Sequence, residues 1–98
     1  MITRWGFIYL GPGSDPVADR IDVERGGLRT TIVPVPDAEG AVKAAVELVD
    51  AGAQLIELCG AFGPVGAARV LEATGGRVPV GCVAYGAESI PMLAAAIA

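Results

Sequence analysis

The sequence predicts a small α/β protein on a mainly parallel sheet, and three observations carry that prediction. Residues Ala53 to Gly86, AQLIELCGAFGPVGAARVLEATGGRVPVGCVAYG, read without a gap as strand, glycine-rich turn, helix, turn and second strand, the pattern of a βαβ unit. An amphipathic stretch from Asp37 to Ala51 precedes it as a further helix. The nearly continuous apolar run from Val78 to Tyr85 has the character of a parallel strand buried on both faces.

The elements follow in order. Trp5 to Leu10 (WGFIYL) is aromatic and β-branched enough for a first strand, closed by the turn signal Gly11-Pro12-Gly13. The polar stretch Ser14 to Gly27 is expected either as a short helix, capped by Ser14 with Pro16 in its first turn, or as a flap. Thr30 to Val35 is a second strand, whose Pro34 places it at an edge or near a strand end.

Asp37 caps the helix that runs to about Ala51 and stops at Gly52. Val42, Val46 and Val49 make its apolar face, with Ala41, Ala45 and Leu48 beside them. Ala53 to Leu58 is a third strand, with Leu55, Glu57 and Cys59 on one face and Gln54, Ile56 and Leu58 on the other. Gly63-Pro64 opens a helix to about Thr74, ended by Gly75-Gly76, with Ala67, Val70, Leu71 and Thr74 turned inward. The fourth strand, Val78 to Tyr85, leads into a last helix from about Ser89 to Ala98.

Consecutive βα units imply right-handed crossovers. The expected architecture is thus one domain, residues 1–98, with a four-stranded, mainly parallel sheet. Two forms are open: a flavodoxin-like open sheet with helices on both faces, or half of a βα barrel.

Composition narrows the partners. Of the residues 53% are apolar and the mean hydropathy is +0.57, more than a domain this small can hide within itself, so a homo-oligomer is expected. A net charge of −4 with seven scattered basic residues leaves no cationic footprint for nucleic acid. No apolar run is long enough for a membrane-spanning helix, the C-terminal one being interrupted by Glu88 and Pro91. The N-terminal apolar run suits a strand better than a signal peptide, which places the protein in the cytoplasm, where Cys59 and Cys82 remain unpaired thiols.

Ligands of parallel α/β sheets bind outside the carboxyl ends of the strands, and that rule selects the candidate site. Glu57 lies in a strand that is otherwise apolar, where a charge is costly unless it takes a partner or a proton. It therefore serves either as a general acid or base, or as half of a structural pair with Arg4, Arg29, Arg69 or a neighbouring subunit. Cys59 follows on the same face, just before a helix start, and is either an activated thiol or a small buried apolar residue. The chain has no histidine, which removes any Cys-His or Ser-His relay.

The turn Gly60-Ala61-Phe62-Gly63-Pro64-Val65-Gly66, spaced G-x-x-G-x-x-G, fits neither the dinucleotide fingerprint nor a P-loop, yet the backbone amides at this helix start suit a carboxylate or phosphate. Tyr85, Glu88 and Ser89 occupy the matching turn after the fourth strand. Ser89 reads equally as an N-cap and Glu88 as a surface charge. No metal or organic cofactor is expected, since only an oxygen-ligand Mg²⁺ site from Glu57, Glu88 or Asp37 is conceivable.

The run from Leu48 to Pro64 (LVDAGAQLIELCGAFGP), followed by Val78-Pro79-Val80-Gly81 and preceded by Phe7-Ile8-Tyr9, resembles a family of small bacterial proteins of about this length known only as a domain of unknown function. The resemblance covers nearly the whole chain and implies a small α/β protein with no established reaction. More loosely, the glycine-rich strand ends resemble those of phosphate-binding βα barrels, an analogy of fold and not of function.

The leading expectation is a metal-independent enzyme of isomerase, cyclase or lyase type, acting on a small carbonyl-containing or anionic metabolite. Glu57 would be the acid or base, Tyr85 a second proton-moving group, Cys59 a wall or auxiliary group, and Gly60, Phe62, Gly63, Glu88 and Ser89 the binding rim. The rival is a non-catalytic ligand-binding or assembly module. A water-reachable Glu57 favours chemistry, and a Glu57 sealed against an arginine favours structure.

Overall fold

A computed structural model describes residues 1–98. Five strands form one sheet: β1 (Arg4–Leu10), β2 (Ile21–Arg25), β3 (Leu28–Val35), β4 (Ile56–Leu58) and β5 (Val80–Cys82), in the order β2-β3-β1-β4-β5. The helices are α1 (Ala38–Asp50), α2 (Gly63–Ala73) and α3 (Ile90–Ala96). β1 runs parallel to both β3 and β4, and β4 parallel to β5, whereas β2 pairs antiparallel with β3.

The sheet is therefore mixed and five-stranded, not four-stranded, and its first two parallel strands are not joined by a βα unit. The segment expected as a helix or flap, Ser14 to Gly27, supplies a turn over residues 16–19 and then β2. Ile21 and Val23 alternate with Asp22 and Glu24, and Gly26 and Gly27, at φ 61° and 78°, make the tight reversal into β3 that only two left-handed residues permit. Asp15, not Ser14, holds the preceding turn, its Oδ1 accepting from the Val17 amide at 2.8 Å and the Ala18 amide at 3.1 Å.

β1 lies between β3 and β4, so strands consecutive in the parallel series are not all neighbours. This is the open order, and the half-barrel is excluded. Both α1 and α2 connect strands in the same direction across the sheet, and right-handed crossovers then place both on one face. Ile8, Val33, Val35, Ile56 and Leu58 point to that face and form one core with Ala41, Ala44, Ala45, Leu48 and Val49 of α1 and Val70 of α2. Gly6 makes the close approach possible, since a Cβ there would stand 2.7 Å from Leu48 Cδ1.

The expectation of helices on both faces fails for the same reason. The β1-to-β3 connection holds a hairpin strand where a crossover helix would have covered the second face. The rows on that face follow from the register: Ile21, Ile32, Phe7, Glu57 and Gly81 stand side by side, flanked by Val23, Thr30 and Trp5 on one side and by Tyr9 and Pro34 on the other. Pro34 is fully buried beside Gly11, and Trp5, Phe7, Thr30 and Ile32 are half-buried. Only 16 of 98 residues are buried.

α1 matches its expected span, with Asp37 Oδ1 accepting from the Gly40 amide at 2.7 Å as a true N-cap. α2 begins at Gly63 and ends before the paired left-handed glycines Gly75 and Gly76, with Val70 and Thr74 buried but Leu71 exposed. β4 and β5 have three residues each, shorter than expected. β5 is an edge strand with an exposed Gly81, not one buried on both sides.

Candidate functional site

The C-terminal end of the sheet has its topological switch point between β1 and β4, where successive connections leave in opposite directions. Cys59 closes this point. Its amide donates to Ile8 O at 3.0 Å, and its Sγ accepts from the Leu10 amide at 3.4 Å. The thiol thus joins two strand ends, a structural task that the reading of a free nucleophile did not include. Cys82 packs at the edge of the core, and both cysteines are free.

Between Cys59 and α2 the chain makes a 3-10 turn, Gly60–Phe62, in which the Phe62 and Gly63 amides already donate to the Cys59 and Gly60 carbonyls. Of the expected amide holder, Gly60 and Ala61 therefore remain as candidate donors. A Cβ at Gly60 would stand 3.1 Å from Val83 O and 3.4 Å from Tyr85 Cε2, so Tyr85 lies directly against the glycine turn. Phe62 turns the other way. With Leu10, Ala38, Ala61, Val65, Gly66 and Arg69 it lines a separate 240 Å³ hollow between the starts of α1 and α2, where Arg69 is held by Glu39.

Glu57 is exposed, contrary to the expectation of burial in its strand. Only Ile56 and Leu58 on either side of it reach the core; Glu57 points to the uncovered face. It lies in a 420 Å³ hollow with Leu55, Ile56, Pro79, Val80, Gly81, Cys82 and Val83, apolar apart from the carboxylate and backbone.

None of the arginines offered as partners engages Glu57. Arg4 donates to Ala51 O at 2.7 Å, Arg29 pairs with Asp22 at 3.6 Å, and Arg69 pairs with Glu39. Of the two outcomes set out for this residue, the structure gives the water-reachable one.

The remaining rim residues are not gathered there. Glu88 and Ser89 lie in a second 3-10 turn, Ala87–Ser89, ahead of α3. Ser89 occupies the cap position of α3 without a side-chain cap bond, and the Glu88 carboxylate folds against Gly86. No group of three or more Cys, Asp or Glu side chains converges anywhere, so Glu57, Glu88 and Asp37 do not assemble an oxygen-ligand cation site.

Two features went unrecognised in the sequence. Ser14 Oγ is buried without a partner near Gly11 and Pro34, and no pattern signals that. The bare face that Glu57 shares follows from the β2–β3 hairpin at the far edge of the sheet, of which the alternation in IDVER ahead of Gly-Gly was the legible trace.

Fold and site together define a class: a small α/β protein with an open mixed sheet, helices on one face, and a lone carboxylate on the bare apolar face. The chain belongs to a family of unknown function, DUF6506, whose model matches residues 3–98. No curated protein and no solved structure matches it. No helix is long and apolar enough to cross a membrane.

Proposed function

We propose that this protein is an oligomeric, metal-independent enzyme that moves a proton on a small carbonyl-containing or anionic metabolite, in a reaction of isomerase, cyclase or lyase type, with Glu57 as the acid or base. One observation carries the reading: Glu57 stands without an ionic partner in an apolar hollow that solvent reaches. An unpaired carboxylate adds nothing to the stability of an apolar sheet face, and such a placement is expected where a proton must be taken or given. Gly60 and Ala61 offer the amides for a developing oxyanion or a carboxylate, with the Tyr85 hydroxyl on the same rim. Cys59 serves as a wall that fixes the rim.

Solvent deuterium provides the test. In D₂O, the wild-type protein is expected to wash deuterium into the acidic C–H position of some members of a panel of small keto acids, aldehydes and lactones, followed by NMR. Glu57→Gln is expected to abolish the exchange while leaving the fold intact. No exchange across the panel, or exchange that persists in Glu57→Gln, would reject the assignment. The bare sheet face favours one second reading, a non-catalytic module whose face simply seals an assembly.

A further inference from the structure

Two apolar surfaces of this chain lack a partner. The first is the bare sheet face, with Ile21 and Val23 at 55% and 50% exposure and the hollow beside Glu57 at its β4–β5 side. The second is the C-terminal segment Ala87–Ala98. α3 packs mainly on the turn before it, with Leu93 half-buried, and Ile90, Met92 and Ile97 are 50%, 70% and 77% exposed. Its one charge, Glu88, is folded back on Gly86, which leaves Ile90–Ala98 without a charged side chain. The radius of gyration, 13.7 Å, exceeds the roughly 12.6 Å expected of a compact chain this long, as a segment standing off the body requires.

We infer that a second copy of this chain lays its C-terminal segment on the bare face, with Ile90, Met92 and Leu93 closing the hollow beside Glu57, and that the exchange is reciprocal about a two-fold axis. Geometry argues against the chain's own segment as occupant. The Val83 amide is tied to Leu58 O at 3.0 Å, and Tyr85 is held against Gly60. These contacts carry the chain past the carboxyl end of the sheet, leaving the hollow at its Val83 end and heading away from its Leu55 and Pro79 end.

Size argues the same way. Five strands about 4.8 Å apart present a face roughly 20 Å across, whereas a seven-residue helix is roughly 10 Å long. One segment covers the β4–β5 side and leaves the exposed Ile21 and Val23, with the half-buried Ile32 and Phe7 beside them, uncovered. A two-fold partner covers both parts, its segment on β4–β5 and its own sheet rows against those of β2, β3 and β1. The completion of the Glu57 site rests on the acid/base reading above; the docking does not.

Cross-linking decides it. In the full chain with Cys59→Ser and Cys82→Ser, the pair Gly81→Cys and Met92→Cys is oxidised with copper phenanthroline and run on a non-reducing gel. Gly81 has open space for the added side chain. The expected result is a disulfide-linked dimer. A fast-migrating monomer with an internal disulfide, or no cross-link, would overturn the docking.

A second readout guards against a misfolded variant: Met92→Glu alone, in the otherwise native full chain, is expected to weaken self-association by at least tenfold in sedimentation, and unchanged association would also count against it. The same cross-link in a Glu57→Gln background is expected unchanged. A cross-link without deuterium wash-in removes the acid/base reading and keeps the docking, and wash-in without a cross-link does the reverse.

Discussion

At the scale of single residues, two carboxylates on strands of the same sheet meet opposite fates. Asp22 of β2 accepts from Thr31 Oγ1 at 2.5 Å and lies 3.6 Å from Arg29. The hydroxyl contact, then the arginine, holds its carboxyl below the ordinary aspartate value despite some burial. A lowered native value means that Asp22 stabilises the fold above the unfolded aspartate range, near 4, and loses that contribution as pH falls through its native value. Thr31→Val is thus expected to cost about 1 kcal/mol or less at pH 7, Asp22 being largely solvated, with the difference from wild type vanishing in acid-titrated thermal melts. Glu57 has no such contacts. Its position within an apolar strand was legible in the sequence. Its exposure was not, because the direction a strand residue faces depends on which face the helices cover.

Among the elements, α1 was legible almost to the residue, since its cap, apolar face and stop are all local signals. Asp37→Ala is expected to lower stability by about 1 kcal/mol in chemical denaturation, the cost of a lost N-cap. The β2–β3 hairpin was the main miss. The polar character of Ser14 to Gly27 outweighed the alternation of Ile21 and Val23 and the Gly26-Gly27 reversal, a recognisable hairpin signal. Both glycines sit at positive φ with open space around them, so backbone strain alone sets the effect of a side chain. Gly27→Val is expected to destabilise by roughly 1–2 kcal/mol, whereas Gly81→Ala, in open space at an ordinary φ, is expected to change the melting point little. The short β4 and β5 were over-extended for another reason: apolar runs continue past the residues that actually pair.

For the whole molecule, a mainly parallel α/β sheet could be read from the βα pattern, but the choice of the open order over the half-barrel, the antiparallel β2 and the one-sided cover could not. It depends on the first connection's being a hairpin, which removes the helix that would have closed the second face. Part of the apolar excess noted in the composition lies on that face and on α3, with more at Val17, Val65 and Leu71, and light scattering is expected to give a dimer or larger rather than 9.9 kDa. On the acid/base reading proposed above, Glu57 is kept on this face for chemistry and not for stability. Thermal melting of Glu57→Leu beside wild type tests it most directly. An apolar side chain in place of an unpaired carboxylate on an apolar face is expected to raise the melting point while deuterium wash-in disappears. A melting point lowered by many degrees would show that Glu57 holds the structure together and is not kept for proton transfer.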